Sequence, residues 1–171
     1  MDFLTLAKQR YSVRKYEDRP IEEEKLAKIL EAGHVAPTGV NHQPQRIHVI
    51  RSQEGLAKIR GLTKCHYEAP VVLLISYQES EVWKNPLEEG VNSGQQDVSI
   101  VATHMMLEAW EQGIGSCWVN LFSPSQVARE MDLPEGEVPV LLLLLGVAAE
   151  DAQPAPWHEK FRPLEEIVSY H

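Results

Sequence analysis

Five consecutive leucines, Leu141 to Leu145, sit inside an apolar run that spans residues 138–147. Apolar residues at successive positions do not describe a half-exposed element. A strand with one wet face alternates, and an amphipathic helix leaves polar gaps. Interrupted by Pro139 and closed by Gly146, the run is too short to cross a bilayer. It predicts a central strand. Residues 70–77, Pro-Val-Val-Leu-Leu-Ile-Ser-Tyr, are nearly as continuous and predict a strand covered on both faces. Strands of this kind need helices above and below them.

The remaining chain supplies those helices. Asp2 is an N-cap candidate for a short helix over residues 2–8, and residues 10–19 read as a loop or an extended segment. Pro20 is expected to open the next helix, with Glu22, Glu23 and Glu24 in its first turn and Ile21, Leu26, Ile29 and Leu30 at helical spacing. Gly33 and Pro37 bracket its end. Residues 45–51 alternate like a strand, residues 53–60 read as a helix, and residues 79–89 as a polar loop. The longest helix is expected over 93–112, stopped by Gly113 and Gly115, with a strand over 116–122. Ser123 and Pro124 start a short helix to Met131. An extended Pro-rich arm covers 151–163, and a last helical turn covers 164–169. This is about four strands and five or six helices, a sheet with helices on both faces. A dinucleotide fold of the Rossmann kind is excluded. Gly113-Ile114-Gly115 follows a helix and precedes a strand, the reverse of what that fold needs.

With 171 residues the chain is expected to form one domain. Its net charge of −9 argues against nucleic-acid binding, which uses clustered Lys and Arg. Cys65 and Cys117 form no CxxC pair and read as reduced thiols. The opening residues lack an apolar signal-peptide core, so a cytoplasmic protein without membrane contact is expected. His104 and Glu108 lie one helical turn apart, but no zinc motif accompanies them, and no metal is expected.

Four short clusters carry candidate chemistry. In Arg10-Tyr11-Ser12-Val13-Arg14, residues two apart share a side if the segment is extended. Two guanidinium forks around the Ser12 hydroxyl suit a phosphate, although the same residues also describe a solvated basic turn. Residues 36–44, Ala-Pro-Thr-Gly-Val-Asn-His-Gln-Pro, offer amides and a hydroxyl that read the edge of a heterocycle, or simply turn the chain. Gly113 and Gly115 allow close approach of backbone to a flat ligand, or mark a helix stop before a strand. Lys160-Phe161-Arg162 completes a phosphate site or is surface charge. The arm around Trp157 and Phe161 docks on its own domain or on a second subunit.

In this order, R-x-S-x-R, A-P-T-G-x-N-x-Q-P, G-x-G-S-x-W and K-x-R before P-L-E-E-I-V resemble the FMN-dependent nitroreductase family, from Phe3 to Val168. The resemblance implies an α+β homodimer with a three-layer α/β/α fold. Its central mixed or antiparallel sheet has four to five strands flanked by helices. A single FMN-binding domain covers residues 1–171, with 151–171 an arm on the partner subunit. FMN is the implied cofactor and NADH or NADPH the electron donor. The acceptor is a small organic molecule such as a nitroaromatic, a quinone or a flavin, reduced by a ping-pong mechanism. Arg10, Ser12 and Arg14 would bind the FMN phosphate and ribityl chain with Tyr11 beside them, and Lys160 and Arg162 would close on the phosphate. Pro37, Thr38, Gly39 and Asn41 would reach the isoalloxazine from the other chain. Asn120 and Leu121 would lie near flavin N5, and Lys64 near the pyrimidine edge. No side chain is an essential acid or base, because the flavin carries the chemistry. Two positions depart from the family: Gln45 stands where many members have Trp, and Asn120 where an acidic residue is common. Trp83, in the short 79–89 loop, is a lid aromatic or a packing residue. A carrier or sensor that binds FMN without turnover is the alternative.

Overall fold

The structure, a computed structural model, describes residues 2–171. Strands β1 (Gln45–Ile50), β2 (Val71–Gln78), β3 (Gly115–Val119) and β4 (Glu137–Gly146) form one sheet in the order β1-β2-β4-β3. Every pairing is antiparallel. The two long apolar runs are its two central strands, as predicted.

Leucine parity divides the core. Leu141, Leu143 and Leu145 pack with α2 (Glu23–His34) and α4 (Gly94–Glu111). Leu142 and Leu144 pack with α3 (Gln53–Leu62) and α5 (Pro124–Glu130) on the other side. Successive strand side chains point to opposite faces, so an unbroken leucine run feeds both cores and yields the three α/β/α layers.

Pro139 is tolerated in β4 because β3 reaches only to Val119, opposite Leu142, leaving no β3 residue opposite the proline. A bulge where β4 passes Ile75 and Ser76 accommodates the irregularity. Beyond the end of β3, the Asn120 side-chain amide donates to the Val140 carbonyl at 2.8 Å. The strand therefore ends at Val119 and not at the expected Phe122.

The helix starts show where local signals held. α1 (Phe3–Gln9) begins at Asp2, whose carboxylate accepts the Thr5 N–H at 3.1 Å. α2 begins at Glu23, three residues after the expected Pro20. The preceding segment is held extended by tertiary pairing: Tyr16 bridges Ala148, Glu17 donates to the Val147 carbonyl, and Ile21 is buried before the helix starts. Gly113, at φ 71°, ends α4 in the left-handed conformation glycine permits. A last turn, α6 (Leu164–Ile167), lies on the arm.

Among the described residues no helix is long and apolar enough to cross a membrane, and no group of three or more His, Cys, Asp and Glu is placed to hold a metal. His104 donates to the Ile100 carbonyl of its own helix at 2.9 Å, and Glu108 accepts from Gln112.

Candidate functional site

The segment after α1 runs along β3. Ser12 bridges Ser116, and the Val13 N–H donates to the Ser116 carbonyl at 2.8 Å. Val13 is fully buried. The alternation expected of an extended segment then places Arg10, Ser12 and Arg14 on the other side. All three line a small cavity of about 80 Å³ with Tyr11, Ala155, Trp157 and His158. That volume suits one ionic group and lies far below the roughly 300–1,000 Å³ of a pocket for a drug-sized ligand.

Among the described residues no carboxylate compensates the charge of this cradle. Every other arginine lies within 4.0 Å of a carboxylate: Arg19 with Glu17, Arg46 with Glu81, Arg51 with Glu23, Arg60 with Glu68, Arg129 with Glu130 and Arg162 with Glu166. Among the described residues, Arg10 and Arg14 have no such partner. In a chain of net charge −9, two adjacent unpaired guanidinium groups are an anion site in waiting. Burial holds Arg10 below its ordinary pKa. Arg14 also donates to the Ser12 carbonyl at 3.2 Å.

Tyr67 and Cys65 join this cluster without any sequence signal. The neighbouring Cys65 side chain and burial raise the Tyr67 pKa, and Arg14 opposes the rise. Tyr67 and Glu68 both adopt left-handed backbone, at φ 45° and 51°. Beneath the cradle, burial pushes the Cys117 thiol up against the opposing pull of Arg14. Both cysteines are free. Lys64 is exposed and adjoins Cys65.

The paired glycines serve the chain itself. A Cβ on Gly115 would lie 2.7 Å from Val13 Cγ2 and 3.0 Å from its Cβ, so glycine here lets the arginine segment lie against β3. Gly115→Ala is expected to destabilise the protein by about 1–3 kcal/mol through overpacking. A thermal melt checks this, and an unchanged midpoint would mean that Val13 moves aside freely.

The second cluster lies elsewhere in the chain. Residues 39–41 form a single 3-10 turn between α2 and β1, and no hydrogen bond links them to the arginine cradle among the described residues. The Gly39 N–H donates to the buried Asp97 carboxylate at 2.8 Å, and Gln43 N–H donates to Thr38 Oγ1 at 3.0 Å. Pro37, Val40 and Asn41 are exposed, while Thr38 and Gly39 are half-buried. Trp83 is half-buried with its Cβ 3.1 Å from where a Gly39 Cβ would stand. Gln45 buries its Oε1 without a partner among the described residues.

Asn120 uses its side chain within the chain: its oxygen accepts from the Trp118 indole N–H, and its amide reaches Val140. Leu121 beside it is 58% exposed. On the arm, Arg162 lies 3.8 Å from Glu166, and Lys160 is exposed without an ion-pair partner among the described residues. Neither lines the cradle cavity, which the arm reaches through Ala155, Trp157 and His158. Tyr11 holds that part of the arm, edge-on to His158 at 6.1 Å and hydrogen-bonded to the Ala152 carbonyl at 3.4 Å.

Comparison with known proteins bears on these groups. The sequence profile of the nitroreductase family matches residues 7–68 and 63–147. A protein of Methanothermobacter thermautotrophicus, named provisionally as an NADH dehydrogenase/NAD(P)H nitroreductase, is 31% identical over 161 residues, covering 88% of this chain and 80% of its own. A nitroreductase family protein from Clostridium difficile 630 superposes with a TM-score of 0.92 at 43% identity, over 99% of this chain and 98% of that one. A protein from Exiguobacterium sibiricum, solved in complex with FMN, shares the fold with a TM-score of 0.83 at 24% identity, over 100% of this chain and 98% of that one.

Proposed function

Since the chain belongs to the nitroreductase family, we propose that it is an FMN-dependent oxidoreductase that takes electrons from NADH or NADPH and reduces small organic acceptors. The observation that carries this reading is the pair of uncompensated guanidinium groups, Arg10 and Arg14, flanking Ser12. Their donor chemistry fits the phosphate of FMN, the ligand of the Exiguobacterium sibiricum protein. Bound FMN supplies the hydride chemistry.

This chain's residues bind and orient. Arg10, Ser12 and Arg14 hold the phosphate and ribityl chain beside Tyr11, and Lys64 faces the pyrimidine edge. Backbone at Asn120 and Leu121 lies near the reacting face, since the Asn120 side chain is committed to Trp118 and Val140. A second copy completes the site. Its loop bearing Pro37, Thr38, Gly39 and Asn41 covers the ring, and Lys160 and Arg162 close on the phosphate as the arm beyond His158 settles on the other subunit, its first part staying on its own chain against Tyr11. Two features support a homodimer. Phe3 and Val35 are exposed along an apolar groove with Leu107, and Trp157, Phe161 and Tyr170 are exposed on the arm. One open face serves donor and acceptor in turn, which is ping-pong behaviour.

The test is a visible absorption spectrum of the purified protein, repeated under nitrogen with NADH or NADPH. Flavin bands that bleach are expected. Bands that persist with either nucleotide would indicate a carrier, and a protein that takes up no added FMN would refute the cofactor.

A further inference from the structure

One residue of the turn after α2 is both strained and exposed. Val40 adopts φ 44° and ψ 27°, the left-handed region that β-branched residues almost never occupy. Its side chain is 68% exposed, so packing within the chain does not compensate the strain. Asn41 and Gln43 share positive φ, at 58° and 52°. Strain of this kind persists where the surroundings impose it, and it marks functional positions.

The buried group that anchors the turn is Asp97. It sits in the first turn of α4 and is 2% exposed. One carboxylate oxygen accepts the Gly39 N–H at 2.8 Å, and the other accepts the Ser93 hydroxyl at 2.6 Å. Gly39 is pressed close to this helix start, where a Cβ would stand 3.0 Å from Ser93 Oγ. The Thr38 and Gly39 carbonyls are also turned to local use, accepting from the Asn41 and His42 N–H groups at 3.0 Å each. With these polar groups engaged, the exposed surface of the turn is the Val40 isopropyl group and the Asn41 side chain.

We infer that Asp97 is a positioning residue: through the Gly39 amide it holds the turn so that Val40 is presented outward as an apolar contact for the flavin bound between two copies of the chain. This rests on the flavin oxidoreductase reading above. It adds a contact at Val40 and a buried carboxylate 58 residues away that governs it.

The test compares Asp97→Ala, Asp97→Asn, Ser93→Ala and Val40→Asn, using FMN titration by fluorescence and amide exchange of Gly39 in flavin-free protein. Asp97→Ala should expose the Gly39 amide to exchange and weaken FMN binding about tenfold, the loss of one hydrogen bond to a charged acceptor. Asp97→Asn keeps an acceptor oxygen for Gly39 and should recover most of the affinity. Ser93→Ala removes the other bond to the carboxylate. It should lower the melting temperature yet bind FMN within about twofold of wild type, which separates positioning from plain destabilisation. Asn tolerates left-handed backbone, so Val40→Asn should fold at least as stably while binding FMN several-fold more weakly. Wild-type FMN affinity in both Asp97→Ala and Val40→Asn would overturn the inference and leave the cofactor reading standing. Failure of wild-type protein itself to take up FMN would overturn both. If Asp97→Ala does not fold, the Asp97→Asn and Val40→Asn titrations decide alone, and wild-type affinity in Val40→Asn overturns the contact.

Discussion

Leu143→Ala is expected to destabilise the protein by about 3–5 kcal/mol, a large part of the roughly 5–15 kcal/mol that holds a typical domain folded. Leu143 is fully buried, between Leu73 on β2 and Trp118 on β3 in register. Strand neighbours on both sides, and helices α2 and α4 above, leave little room for the site to collapse around a cavity. Urea denaturation at fixed protein concentration checks the shift. The control is Leu4→Ala on α1, where the side chain is 64% exposed and the expected loss is below about 0.5 kcal/mol. Equal effects at the two positions would mean that the central strand is not the stability core.

Arg14→Ala should weaken FMN binding by about 10- to 100-fold, from the loss of charge-assisted hydrogen bonds worth about 1.5–3 kcal/mol. Among the described residues Arg14 has no carboxylate to release, so its removal is expected to cost the fold little. Affinity and stability should therefore separate, with a melting temperature close to wild type and a clear loss of retained flavin. Arg14→Lys keeps the charge without the planar fork and should fall between. Arg129→Ala, which removes a surface arginine paired with Glu130 at 3.4 Å, should leave flavin binding unchanged. Full flavin retention in Arg14→Ala would place the phosphate away from this cradle.

The layered fold was legible because it follows from periodicity. Leu141 to Leu145 announce a strand with two buried faces whatever their neighbours are. Asp2 and Gly113 mark helix ends through local hydrogen bonding and left-handed backbone, both properties of a few adjacent residues. Pro20 misled because proline permits a helix start without requiring one, and the pairing of Tyr16 with Ala148 decided otherwise. Phe122 misled because apolar residues continue past the strand, while the Asn120 side chain closes it.

The site was legible in part. Alternation put Arg10, Ser12 and Arg14 on one side, and they do line one cavity. Sequence could not show that, among the described residues, Arg10 and Arg14 are the arginines without carboxylate partners, because six other arginines find theirs up to 35 residues away. Gly115 was open between ligand approach and chain packing, and the proximity of Val13 resolves it toward packing.

By itself, then, the sequence determined what depends on neighbours along the chain: two central strands, the helices that cover them, and an extended basic segment near the start. Tertiary structure alone decided what depends on distant residues meeting. Asp97 meets Gly39, and Glu137 gathers Ser76 and His48 from two other strands. The physical reason is range. Periodicity and capping act over a turn or a strand, whereas a buried carboxylate takes whichever donors the fold brings within hydrogen-bonding distance, and no spacing rule encodes which those will be.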